Sequence, residues 1–124
     1  MIRGIGIDIV EVRRMERWRK NPGLLERYFN REEIDTAISR GKGADMALAA
    51  RFAAKEAFGK ALGTGLEGIV LKDITINNKS NGRPEVHVSG TAFDALQKAG
   101  ANIVHISLSH ERDNAVAMII LESI

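Results

Sequence analysis

The chain has 124 residues, the size of one domain, with 44% hydrophobic and 27% charged residues and a net charge of +2, the composition of an ordinary globular protein. It contains no cysteine, which excludes disulfides, zinc–thiolate sites and thiol nucleophiles and is compatible with a reducing cytoplasm, the expected location. No uncharged apolar run is long enough to span a bilayer, and Arg3 and Asp8 interrupt the N-terminal apolar stretch where a secretory signal needs continuity.

Residues 2 to 10 alternate as a strand, with Ile5, Ile7 and Ile9 on one face and Gly4, Gly6, Asp8 and Val10 on the other. In the lane of Asp8 the glycines project no side chain, so something else can approach the backbone closely. A polar residue on a wet face explains Asp8 equally well. A basic helix is predicted over residues 11 to 20, where "RRMERWRK" sets Arg13, Arg14, Arg17, Arg19 and Lys20 against Glu16 alone. Most such runs are solvated helix faces, and the functional alternative is a dock for an acidic protein or a nucleic acid.

"NPG" stops that helix, "LLERYF" adds a short one, and Asn30 with Glu33 forms a variant capping box that opens a helix to about residue 38. The longest helix is predicted over residues 45 to 62 and ends at Gly63, placed for a left-handed C-cap. Residues 69 to 76 and 85 to 88 read as strands around an Asn81-Gly82 turn, and a helix over 91 to 99 leads to a last hairpin, "NIVHISLSH" and "AVAMIILE". The whole is predicted to be a single α+β domain, residues 1 to 124, with an antiparallel sheet and helices packed on one side.

The long helix carries the most informative chemistry. Met46, Ala47, Ala50, Ala53, Ala54, Ala57 and Ala61 form a small-residue face, while Leu48, Phe52, Gly59 and Leu62 form a second apolar stripe edged by Arg51, Lys55, Glu56 and Lys60. A helix apolar on two sides is expected to be buried, and buried charges need partners or ligands. Glu56 and Lys60, four apart, form an ordinary helix ion pair on the plain reading. Taken with Asp8, they read instead as a magnesium–phosphate site: two carboxylates offer hard oxygens to Mg2+, and a lysine neutralises phosphate. Paired-carboxylate glycoside hydrolysis is a weaker competitor, because one Trp and one Tyr give few platforms for a sugar. "GTGLEG" follows the helix instead of preceding one, so helix termination explains it at least as well as a phosphate cradle. His87 is read as strand surface. His105 shares a face with Ser107 and Ser109, and strand parity does not choose between it and His110.

"GIGIDIVEV" at residues 4 to 12, "RFAAKEAFGKALGTG" at 51 to 65 and "VHISLSH" before the final hairpin arm, in that order over nearly the whole chain, resemble the small bacterial holo-[acyl-carrier-protein] synthases of the 4′-phosphopantetheinyl transferase superfamily. The resemblance implies transfer of phosphopantetheine from coenzyme A to a serine of an acidic apo-acyl carrier protein, with release of adenosine 3′,5′-bisphosphate, in support of fatty acid biosynthesis. It implies Mg2+ as cofactor on Asp8 and Glu56, the signature lysine at Lys60, and, in "SLSH", His110 as the contact to the 3′-phosphate. Arg51, Lys55 and Ser109 match positions near coenzyme A. Arg14 matches a carrier-docking position, which Arg13 and Arg17 extend; residues 15 to 25 depart most from the family pattern. The family implies a homotrimer in which Asp8 and Glu56 of one chain meet His110 of its neighbour. The acceptor of the serine proton stays open between Glu56 and a metal-bound water. The rival reading is a small basic nucleic-acid-binding module, which predicts affinity that falls steeply with salt and needs neither coenzyme A nor Mg2+. Five aromatics besides Trp18 are few for base stacking.

Overall fold

The computed structural model describes all 124 residues. In chain order the elements are β1 (Ile2–Glu11), α1 (Arg14–Arg19), α2 (Pro22–Tyr28), α3 (Arg31–Ile38), α4 (Ala44–Leu62), β2 (Ile74–Asn78), β3 (Pro84–Val88), α5 (Gly90–Lys98), β4 (Ile103–His110) and β5 (Asn114–Glu122). The single antiparallel sheet expected from sequence is two sheets: β1, β5 and β4 in that order, and a separate β2–β3 hairpin. No helix is long and apolar enough to cross a membrane.

Helix α4 lies against one face of the larger sheet and is its organising contact. The empty lane in β1 is filled by that helix: a Cβ added to Gly4 would meet the Ala61 carbonyl oxygen at 1.9 Å, and one added to Gly6 would meet that of Ala57 at 2.0 Å. Strand backbone therefore rests directly on helix backbone, an approach that only glycine permits. The alanine face does what its spacing predicted. Apart from Asp45, Met46, Glu56, Lys60 and Leu62, every residue of α4 is buried. Gly63 caps the helix with φ 83°, and the Gly65 amide returns to the Gly59 carbonyl at 3.0 Å, so "GTGLEG" ends the helix.

The opposite face of the sheet is open. Ile5, Ile7 and Ile9 are 59%, 53% and 62% exposed. They pair with Ile120, Met118 and Val116 of β5, which pair in turn with His105, Ser107 and Ser109 of β4. An apolar band thus runs beside a polar lane on an uncovered surface.

Two element starts differ from the sequence reading by three residues or more. The first helix begins three residues later than predicted, because β1 continues to Glu11, which pairs with Asn114, and the Val12 amide still bonds the Asp113 carbonyl. The strand predicted over residues 69 to 76 begins only at Ile74. Leu71–Asp73 form a 3-10 turn, in which the Asp73 carboxylate holds the Thr91 amide and hydroxyl at the start of α5. The capping box stands as expected: the Asn30 side chain accepts from the Glu33 amide, and Glu33 accepts from the Asn30 amide.

Candidate active site

Asp8 follows Gly6 by two residues in β1 and is partly exposed. Lys60 does not pair with Glu56 one turn before it. Its ammonium crosses to the strand, donating to Asp8 Oδ1 at 2.9 Å and to the Ile7 carbonyl at 3.0 Å. The plain reading of Glu56 and Lys60 as a helix pair is thereby corrected: they share an edge of α4, but the partner of Lys60 comes from 52 residues away. Asp8 is 17% exposed and Lys60 is 54% exposed, so the pair borders solvent and can exchange its partners.

Glu56 stands beside them. Burial first, and then the charge of Asp8, push its carboxyl above the ordinary carboxylate range, while Lys60 and Arg14 oppose the shift. Two carboxylates that repel one another next to a lysine make a hard-oxygen donor set with an electrostatic demand for a cation. This fits Mg2+, which takes one or two protein carboxylates and fills its octahedron with water and phosphate oxygens.

Arg14 sits over the rings of Trp18 and Phe52, with its guanidinium carbon 5.5 and 5.3 Å from their centroids. The five cations of residues 13 to 20 divide in two. Arg13 pairs with Glu11, Arg19 with Asp45 and Lys20 with Glu16, whereas Arg14 and Arg17 have no acidic partner.

Lys55 requires correction as a coenzyme A contact. Its side chain and that of Glu33 are both 0% exposed. Its three ammonium protons go to Glu33 Oε1 at 2.7 Å and to the carbonyls of Tyr28 at 2.8 Å and Leu71 at 3.0 Å, so no donor is left for a ligand. Glu33 is the partner that sequence reasoning missed. The capping box announced one of its contacts, but nothing in the pattern pointed to its bonds with Lys55 and with the Ile76 amide, the latter at 3.0 Å.

Arg51 is also buried, but differently. It donates to the Ala47 carbonyl and to Asn78 Oδ1, and its Nε is buried with no partner. Arg40 donates to the same Asn78 oxygen at 3.2 Å. Two guanidiniums converging on one neutral acceptor leave excess positive charge, a polarity that suits phosphate. Arg40 and Asn78 were likewise not identified from sequence, since neither lies in a motif.

Ser109 and His110 stay apart from this cluster. Asp8 pairs with Ala117 of β5 and His110 with Ala115, so a whole strand separates them, about 10 Å at ordinary strand spacing. His110 is exposed at the end of β4, and Ser109 lies on the open face. His105, the other candidate histidine, bonds Glu122 through Nε2 at 2.8 Å, and His87 bonds Glu85 at 3.1 Å.

With this geometry in place, comparison with known proteins is informative. Residues 4–118 match the 4′-phosphopantetheinyl transferase superfamily. The chain is 55% identical to the holo-[acyl-carrier-protein] synthase of Treponema denticola over 122 residues, covering 98% of this chain and 99% of that protein. It is 46% identical to that of Treponema pallidum over 98% of this chain and 97% of the relative. Among solved structures, the Neisseria meningitidis enzyme superposes with a TM-score of 0.88 at 36% identity, covering 99% of this chain and 100% of the other. The Bacillus anthracis enzyme, in complex with CoA (3′,5′-ADP), superposes with a TM-score of 0.82 at 38% identity, covering 99% and 98%. The chain belongs to the 4′-phosphopantetheinyl transferase superfamily, among the holo-[acyl-carrier-protein] synthases.

Proposed function

We propose that the chain transfers 4′-phosphopantetheine from coenzyme A to a serine of an acidic apo-acyl carrier protein, with Asp8, Glu56 and Lys60 at the centre of the reaction. The observation that carries this assignment is the pairing of Asp8 with Lys60 across the strand–helix joint, with Glu56 alongside. Asp8 and Glu56 would hold Mg2+, which when bound supplies charge neutralisation on the pyrophosphate and polarises the phosphorus under attack.

The chain's own residues account for the remaining steps. Lys60, free to turn from Asp8, holds phosphate oxygens. The carrier serine loses its proton to the Glu56 carboxylate, which stands beside the Asp8–Lys60 pair. The serine oxygen then forms its bond to the phosphopantetheine phosphorus as the bond to adenosine 3′,5′-bisphosphate breaks. Arg51 and Arg40, converging on Asn78, offer a resting place for phosphate charge.

A homotrimer is part of the same proposal. Ser109 and His110 lie too far from Asp8 to act with it in one chain, and the exposed isoleucine band gives the open sheet face a reason to be covered by a second copy. His110 of a neighbouring chain would then contact the 3′-phosphate. No feature favours nucleic acid: with three of the five cations in "RRMERWRK" already paired, little free positive charge remains on that helix for a phosphate backbone. We place the reaction in the cytoplasm, in fatty acid biosynthesis.

The test is intact-mass spectrometry of a bacterial apo-acyl carrier protein incubated with the chain and coenzyme A, with and without Mg2+. The expected result is a metal-dependent gain of one phosphopantetheine. No gain across several carriers would overturn the assignment.

A further inference from the structure

Arg14 and Arg17, the two cations of the first helix without an acidic partner, are three apart and so lie on one side of α1. They border a groove of about 440 Å3 with Arg13, Glu11 and Glu16. An exposed arginine ordinarily samples many rotamers, and ordering it on binding opposes affinity. Arg14 is an exception because an aromatic platform lies beneath it.

The platform is rigid. Trp18 is 5% exposed, stacks on Tyr28 with centroids 4.7 Å apart and planes 19° apart, and meets Phe52 edge-on at 4.9 Å. Tyr28 also meets Phe52 at 5.9 Å. Phe52 sits on α4 one turn before Glu56, so the surface that seats Arg14 belongs in part to the helix that carries the reacting carboxylate.

We propose that Trp18 is a positioning residue for carrier recognition: with Phe52 it holds the Arg14 guanidinium ready for a carboxylate of the acidic carrier protein, at a fixed offset from Glu56. The proposal rests on the transferase reading and adds to it a residue to which the sequence motifs assign no role. Arg17 supplies a second charge one turn along. Arg13, beside them, is paired with Glu11 at 2.9 Å.

Trp18 is the sole tryptophan of the chain, so its emission reports on this platform alone. Titration of the full-length protein with an apo-acyl carrier protein is expected to change that emission saturably, and Arg14→Gln is expected to abolish the response. In steady-state assays Trp18→Leu should raise KM for the carrier about ten-fold, with kcat and KM for coenzyme A within about two-fold of the parent, and Trp18→Phe should recover most of the loss. Should Trp18→Leu fold poorly, Arg14→Lys, which keeps the charge but not the flat guanidinium that lies over the rings, is expected to raise the carrier KM about as much, and a parent-like KM in that variant would overturn the inference.

An unchanged carrier KM in folded Trp18→Leu would overturn the inference, as would a fluorescence response that survives Arg14→Gln. An equal response to single-stranded DNA would overturn the assignment to a protein partner. A parent protein that loads no carrier at all removes the transferase reading as well, so the two failures are told apart by the unmutated control.

Discussion

Lys55→Met should be among the most destabilising single substitutions available in this chain. The change leaves the Glu33 carboxylate buried without its counter-ion and removes a donor from two main-chain carbonyls. Breaking a buried pair from one side typically costs about 3 to 5 kcal/mol. Here the lower half of that range applies, because Glu33 keeps two amide donors, those of Asn30 and Ile76, and the Leu71 carbonyl keeps the amide of Ile74. For a domain of this size the loss corresponds to a fall in Tm of about 10 to 15 °C. The ion pair itself need not be a strong source of stability: burial pushes the Lys55 ammonium below its ordinary range, and Glu33 only partly opposes this. The asymmetry lies in removing one partner. Adding Glu33→Gln to Lys55→Met removes the stranded charge while keeping an acceptor for one of the two amides, so the double variant should regain part of the loss. Thermal unfolding followed by circular dichroism, at one fixed protein concentration because assembly contributes, measures all of these. A Lys55→Met protein within about 3 °C of the parent would refute the reasoning, as would a double variant no better than the single.

Glu56→Gln should reduce turnover by about two to three orders of magnitude and yet raise the thermal stability of the ligand-free protein near neutral pH. The sign follows from the raised pKa of Glu56: its ionised form is disfavoured in the folded state, so stability is lost as pH rises through that pKa and regained as pH falls toward the ordinary carboxylate value. The stability difference between variant and parent should therefore shrink on acidification, as a series of melting curves against pH would reveal, and Mg2+ should stabilise the parent more than the variant. Gly6→Ala should cost about 3 kcal/mol in urea unfolding, because the new Cβ meets a main-chain oxygen that cannot rotate away. Gly23→Ala, in helix α2 with only the Asn21 side chain near its would-be Cβ at 3.6 Å, should gain about 0.5 to 1 kcal/mol. Ile7→Glu, on the exposed band, should lower the assembly state seen by light scattering after gel filtration without unfolding the chain.

Features governed by short-range spacing were legible in the sequence. The alanine periodicity of α4, its glycine cap, the Asn30–Glu33 box and the parity that placed Asp8 opposite the isoleucines all follow from 3.6- and 2-residue repeats, and all appear in the structure. What could not be read was partner choice between distant segments. The periodicity of α4 marks Lys55 and Lys60 as charges at the edge of an apolar stripe, but not that one turns inward to a carboxylate 22 residues back and the other crosses to a strand 52 residues back. The 3-10 turn at Leu71–Asp73 was hidden for the same reason. Local residues with strong strand preference yield there to an α5 cap and to the Lys55 ammonium, both supplied by other parts of the chain.

The contact of Gly4 and Gly6 with the carbonyls of Ala61 and Ala57 also sets the mechanical tolerance of the chemistry. Side chains in a core can trade rotamers and absorb a substitution by shifting a few tenths of an ångström, but two main chains already touching have no such slack. Asp8 and Glu56 are each mounted within a few residues of that seam, so their separation is gauged by bonded backbone and is insulated from how α2, α3 or the β2–β3 hairpin happen to be filled. Drift in those outer parts can retune what the protein docks with, while the calibration of its two carboxylates stays unchanged.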